Sequence, residues 1–250
     1  MSGVPLVAVA HGSRDPRSAA SVAELLEVVR GLRPGLDVRA AFLDLSAPRL
    51  TEVLQGVHGE GHRSAVVVPL LLGSAFHARV DVPGAVAETV ARYPLLDVRI
   101  ADVLGPDPRL ESAAWRRLLA AGVDPADPEL GVVLAAAGSS HAPANAAVAE
   151  VARRWESGSR WAGVEAAFAA SAQPDVPSAV ARLRARGARR IAVASWFLAP
   201  GRLPDRVIGL AGPRAVVAAP LGDDVEVAEL VLHRFDAALG ARSADAVRYA

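Results

Sequence analysis

Residues 126 positions apart match along this 250-residue chain, without a gap, from about residue 6 to residue 78. Val7 matches Val133, Gly12 matches Gly138 and Ser13 matches Ser139. Val22-Ala23-Glu24 matches Val148-Ala149-Glu150, Phe42 matches Phe168, Pro48 matches Pro174 and Leu72 matches Leu198. A chain of this length suits one large domain or two smaller ones, and the repeat decides for two similar halves. Residues common to both halves report the shared fold. Residues that differ mark where function was placed or lost. Three differences stand out: His11 corresponds to Ala137, His77 to Leu203 and Asp44 to Ala170.

Within each half, short apolar runs alternate with longer segments of helical period. The runs predict strands over 6–10, 38–45, 65–72 and 98–103, then over 131–136, 163–169, 190–198 and 215–219. They are nearly continuous in apolar residues, as parallel strands covered on both faces should be. The periodic segments predict helices over 18–32, 49–57, 82–92 and 108–121, then over 144–155, 176–186, 205–210 and 225–239. Strand–helix alternation implies parallel sheets with right-handed crossovers. The predicted fold is therefore α/β, as two similar three-layer domains over 1–122 and 131–240, a Pro- and Asp-rich linker over 123–130, and a weakly patterned tail over 241–250.

In open α/β sheets ligands bind beyond the carboxyl ends of the strands. His11 follows the first predicted strand, Asp44 ends the second, and His77 lies in the loop after the third. All three point to one rim of the first domain. Two imidazoles and a carboxylate suit Fe, Co, Ni or Zn far better than Mg or Ca. An ordinary imidazole pKa near ~6.5 also leaves these side chains able to take up protons. Residue type and spacing lead as far as a metal site in an α/β cleft. His58 and His62 are spaced i, i+4, but Gly56, Gly59 and Gly61 surround them, so a solvated turn is expected. His141 follows the first strand of the second half and aligns with Asp15, either lining a cleft or simply preceding a helix.

Composition excludes several classes. There is no cysteine, so disulfides, thiolate metal sites and cysteine nucleophiles are ruled out. Net charge is zero, without the basic patch that nucleic acid requires. No apolar run approaches the ~20 residues of a membrane span, and the N-terminus lacks the charged start of a signal peptide. A soluble cytoplasmic protein is expected. The 27 cationic side chains are all arginine, whose planar fork suits carboxylates.

The runs Val7-Ala8-Val9-Ala10-His11-Gly12-Ser13-Arg14, Ala41-Phe42-Leu43-Asp44, and Pro69-Leu70-Leu71-Leu72 leading to His77-Ala78-Arg79-Val80-Asp81-Val82-Pro83 resemble the sirohydrochlorin chelatase family. These are the class II chelatases of siroheme and cobalamin synthesis, and the resemblance spans nearly the whole chain in their long, two-half form. It implies insertion of a divalent metal into the tetrapyrrole sirohydrochlorin: Fe2+ to give siroheme, or Co2+ for cobalamin. The metal is then a substrate, and no organic cofactor is needed. His11 and His77 match the family's catalytic, metal-handling histidines, and Asp44 stands where the family carries glutamate. Carboxylates of the substrate are expected at Ser13, Arg14, Arg49 and Arg79, and at His141 and Arg202 of the second half. The small tetrapyrrole is the expected partner, with neither nucleic acid nor membrane. With both halves in one chain, a monomer suffices. Two rival readings are a non-catalytic metal or tetrapyrrole carrier and a phosphatase-like hydrolase with His11 as nucleophile.

Overall fold

The computed structural model describes residues 3–73 and 80–246. In the first unit β1 (Leu6–Ala10), β2 (Val38–Phe42), β3 (Ser64–Pro69) and β4 (Asp97–Ile100) form a parallel sheet in the order β2-β1-β3-β4. Parallel neighbours need crossovers, and α1 (Pro16–Leu32), α2 (Leu50–Gly59) and α3 (Val82–Arg92) supply them. The second unit repeats the plan with β5 (Leu130–Ala136), β6 (Gly163–Phe168), β7 (Arg190–Trp196) and β8 (Val216–Val217) in the order β6-β5-β7-β8. Its crossovers are α5 (Ala142–Ser157), α6 (Val176–Ala185) and α7 (Arg202–Ala211).

Each sheet is covered on both faces, which is why all five residues of β1 and all seven of β5 are buried. On one face of the first sheet, Leu50, Leu54 and Val57 of α2 and Val82 and Val86 of α3 pack on Val7, Val9 and Val67. The matching cluster in the second unit joins Val176, Ala179 and Leu183 of α6 and Val207 of α7 to Val133, Ala135 and Val193. Helix α1 buries Val22, Leu25, Leu26 and Val29, a stripe at helical spacing. Asp15 caps its start by accepting the Arg17 N–H, with Pro16 in the first turn, where its missing N–H costs nothing.

The last helix of each repeat packs on the other repeat's sheet. Helix α4 (Pro108–Ala120) belongs to the first repeat yet to the second compact unit, residues 106–222. There Trp115 meets Trp155 edge-on at 5.3 Å and Trp161 at 5.0 Å, and Arg117 donates to the Leu221 carbonyl at 2.9 Å. Helix α8 (Val225–Ala246) completes the first unit, residues 1–105 and 223–250. Its Arg234 donates to the carbonyls of Val103 and Leu104, and Asp236 accepts from Arg33 at 2.6 Å. A division at 123–130 therefore separates the repeats but not the compact units. Amphipathic periodicity shows that a helix buries one face; it does not say against which sheet.

Several boundaries also differ. The second strand stops at Phe42 rather than running to residue 45, and Leu45 has a φ of 60°. Strand β8, at the edge beside β7, has two residues rather than the five expected over 215–219. Helix α7 begins at Arg202, not at 205, and α8 continues through Ala246 into the segment expected to be a tail. Among the described residues, no helix is long and apolar enough to cross a membrane.

Candidate active site

Strand order places β1 between β2 and β3, so α1 and α2 leave the sheet on opposite faces. This is the switch point at which α/β sheets open a crevice beyond their carboxyl ends. His11 is the first residue past β1 and is exposed there. Backbone pairing with the neighbouring chain continues beyond both strands: the Leu43 N–H donates to the Ala10 carbonyl at 3.0 Å, and the Asp44 N–H to the His11 carbonyl at 2.9 Å. Two residues separated by 33 in sequence are thereby fixed side by side.

Gly12 makes that approach possible. Its φ is +95°, and a Cβ placed there would lie 1.7 Å from the Asp44 carbonyl oxygen. The next residue is held as well. The Ser13 N–H donates to Ser46 Oγ at 3.0 Å, and the Ser46 hydroxyl donates back to the Ser13 carbonyl at 2.8 Å. Ser13 Oγ accepts from the Asp15 N–H, which joins the turn to the cap of α1.

The second unit is the internal comparison. Gly138 has φ of +85° and the same close approach to a carbonyl, that of Ala170. The Ala170 N–H donates to the Ala137 carbonyl at 2.9 Å, so the backbone turn persists without its histidine. The pin differs, however. Ser139 is held by Asn145 of α5, whose amide both accepts from its N–H and donates to its carbonyl. In the first unit Ser46 ties the histidine turn to the loop carrying Asp44; Ala172 stands at the matching position. Ser46 escaped the sequence reading, although the same repeat comparison contained it. Ser46→Ala removes two partly buried hydrogen bonds and should cost about 1–2 kcal/mol. The cost would be read from the urea midpoint at unchanged slope. Equal stability and equal activity in that variant would mean that the tie contributes nothing.

Asp44 and Arg49 were expected to face the metal and the substrate separately. They are paired: Arg49 Nη2 lies 3.1 Å from Asp44 Oδ1, and Nη1 donates to the Leu43 carbonyl at 3.2 Å. Both side chains are more than half exposed, at 52% and 56%. An exposed pair of this kind adds only about 0–1 kcal/mol to stability. Arg49 also occupies the position before α2 where a short polar side chain would cap the helix; its own side chain makes no cap bond, and Glu52 Oε2 accepts its N–H at 2.7 Å. In the second unit Asp175 stands there and accepts from the Ser178 N–H at 2.9 Å. A cap of that kind is worth about 1 kcal/mol.

The sequence model of the CbiX family matches residues 5–121 and 131–238, both repeats. The chain belongs to the CbiX family. It is 24% identical to the sirohydrochlorin ferrochelatase of Priestia megaterium, over 97% of this chain and 94% of that protein. It is 25% identical to a sirohydrochlorin cobaltochelatase of the same organism, over 80% of this chain and 65% of that one. The solved structure described as SirB from Bacillus subtilis with Fe3+ superposes with a TM-score of 0.78 at 22% identity, covering 96% of this chain and 97% of that one. The likeness establishes a common fold.

In this CbiX chain, then, the structure gathers His11, Ser13, Asp44 and Arg49 at the carboxyl rim of the first sheet, with Arg14 exposed on the same turn. His77 and Arg79 lie outside the described residues. His141 and Arg202 belong to the second unit. His141 precedes α5, and its N–H donates to Ser139 Oγ at 3.0 Å. Arg202 is the first residue of α7, not part of a loop.

The solvated turn expected at His58 and His62 forms only at Glu60 and Gly61, between them. His58 sits in the last turn of α2 and stacks on Tyr93 with ring centroids 4.7 Å apart. Burial of Leu54 and Val57, at about 1.5–3 kcal/mol each, outweighs the roughly 1 kcal/mol that each helical glycine costs. His62 has a side chain only 10% exposed, 3.8 Å from Asp37. Asp37, Glu60 and His62 are the one three-residue group among the described residues whose ligand atoms lie within 4.8 Å of one another. They sit at the amino rim of the sheet, away from His11. Arg39 already engages both carboxylates of the cluster, donating to Asp37 at 2.7 Å and Glu60 at 2.5 Å. Its hydrogen bond holds the Glu60 carboxyl below the usual range, and Glu60 and Asp37 in turn raise the guanidinium further.

Proposed function

We propose that this chain is a sirohydrochlorin chelatase that inserts Fe2+ to form siroheme. The observation that carries the reading is the carboxyl rim of the first unit. There a histidine turn is bonded to an aspartate loop at the switch point of the sheet, and the second unit keeps the turn while lacking both side chains. The relatives bear chelatase names, which fits such a rim.

Metalation replaces two pyrrole protons with one divalent ion, so two protons must leave as the ring nitrogens bind. In this reading His11 holds the incoming ion by an imidazole nitrogen and, once the ion has moved to the ring, accepts a proton. His77, outside the described residues, would act with it. The ring's peripheral carboxylates call for cations around the rim, and Arg14 and Arg49 supply them on this unit. Neither a nucleotide nor an electron donor enters the balance. Co2+ insertion is the second reading, because relatives of nearly equal identity carry the two names and nitrogen and oxygen ligands accept both ions.

The test is anaerobic mixing of the purified protein with sirohydrochlorin and Fe2+ or Co2+, followed by absorbance. Catalysis requires a rate above the protein-free rate, and the faster ion identifies the preferred substrate. If neither ion is inserted faster than in buffer, the chelatase reading fails and a carrier is favoured. Phosphate release from a phosphomonoester would favour the hydrolase instead.

A further inference from the structure

The pairing of Arg49 with Asp44 is present in one unit and wholly absent from the other. Where the first unit has Asp44 and Arg49, the second has Ala170 and Asp175. Helix stability does not explain the arginine. It gives up the cap bond that Asp175 makes, and it sets a positive charge at a helix N-terminus, where the macrodipole favours a negative one. Nor does the ion pair justify it, since both partners are largely in water. What the arrangement does provide is a guanidinium anchored through the Leu43 carbonyl and covered, among the described residues, by one weakly held carboxylate. That carboxylate belongs to the residue whose backbone is bonded to His11.

We propose that Arg49 receives a peripheral carboxylate of the tetrapyrrole, and that this carboxylate displaces Asp44, which is released toward His11. The proposal rests on the chelatase reading for the identity of the ligand. Charge balances, because one carboxylate takes the place of another on the same guanidinium. The freed aspartate then adds a negative charge beside the imidazole just as a divalent ion must be held there. Substrate binding thus prepares the metal position, and by linkage a bound ion favours the substrate-bound arrangement. Ser46 keeps the two loops together while the carboxylates exchange.

The test is a titration of the intact protein with metal-free sirohydrochlorin, read by absorbance, together with steady-state metalation and thermal unfolding. Arg49→Asn removes the charge but can cap α2, so it should fold at least as well as the parent and bind the tetrapyrrole about tenfold more weakly. Arg49→Lys should recover part of that loss. Asp44→Ala removes the competing carboxylate, so binding should stay equal or tighten while kcat falls. In the double variant any tightening should vanish. Unchanged binding in Arg49→Asn would overturn the receptor role. Weakened binding in Asp44→Ala, matching that of Arg49→Asn, would overturn the exchange. A parent protein that binds sirohydrochlorin without metalating it would sink the chelatase reading while the binding constants still decide the exchange. A parent that does not bind it at all would sink both.

Discussion

Gly12→Ala is expected to unfold the rim of the first unit and abolish turnover. The added Cβ would lie 1.7 Å from the Asp44 carbonyl oxygen and 2.9 Å from its carbon, both backbone atoms that cannot rotate away. Relief requires the two chains to separate, and that breaks the bond from the Asp44 N–H to the His11 carbonyl. The φ of +95° adds strain for any residue with a side chain. Together these should cost more than about 3 kcal/mol, in the range reserved for overpacking and backbone strain. Gly138→Ala meets the Ala170 carbonyl at 1.9 Å and should be comparably destabilising, yet it disturbs a turn that carries alanine in place of histidine. Urea unfolding of both variants, with metalation measured beside it, separates damage to a turn from damage to the site. A Gly12→Ala protein with parental midpoint and rate would mean that the close approach is not maintained in solution.

The same glycine pair shows what the sequence could disclose. Gly12 and Gly138 were visible as shared residues at strand ends, and both support a turn in which one backbone passes directly over another. Shared residues reported fold because a backbone contact that excludes every side chain leaves one acceptable residue type. The strands were legible for a related reason: β1 and β5 are buried on both faces and carry no polar residue. The start of α4 at Pro108 was legible, whereas α1 begins at Pro16, two residues before the expected 18, because Asp15 caps it. Long-range choices were not legible. The stripes of α4 and α8 fit either sheet, and their exchange is decided by contacts such as Trp115 on Trp155 and Arg234 on the Val103 carbonyl. The pairing of Asp44 with Arg49 was likewise hidden, since each residue had a reasonable role of its own. Ser46 was overlooked because serine in a loop is ordinary until its partner is known. His58 misled because local glycines suggested a turn, whereas burial of the opposite helix face and the Tyr93 ring set the outcome.

His11→Ala should separate chemistry from structure most cleanly. The His11 side chain is exposed, and the bond that fixes the turn is made by its backbone carbonyl, which alanine retains. The second unit has already made this substitution: Ala137 occupies the equivalent position and its carbonyl accepts from the Ala170 N–H at the same 2.9 Å. Unfolding stability should therefore change by less than about 1 kcal/mol, as for other surface substitutions. Turnover should fall at least about 100-fold, because proton transfer by a positioned side chain alone contributes that much, and the variant also loses a nitrogen ligand for the incoming ion. Binding of metal-free sirohydrochlorin should change far less, since its carboxylates are held elsewhere. This pattern distinguishes His11 from Arg49, whose removal should weaken binding first. Full turnover in His11→Ala would displace the reaction from this rim. Loss of turnover together with loss of the fold would make His11 a structural residue of the turn, contrary to what Ala137 implies.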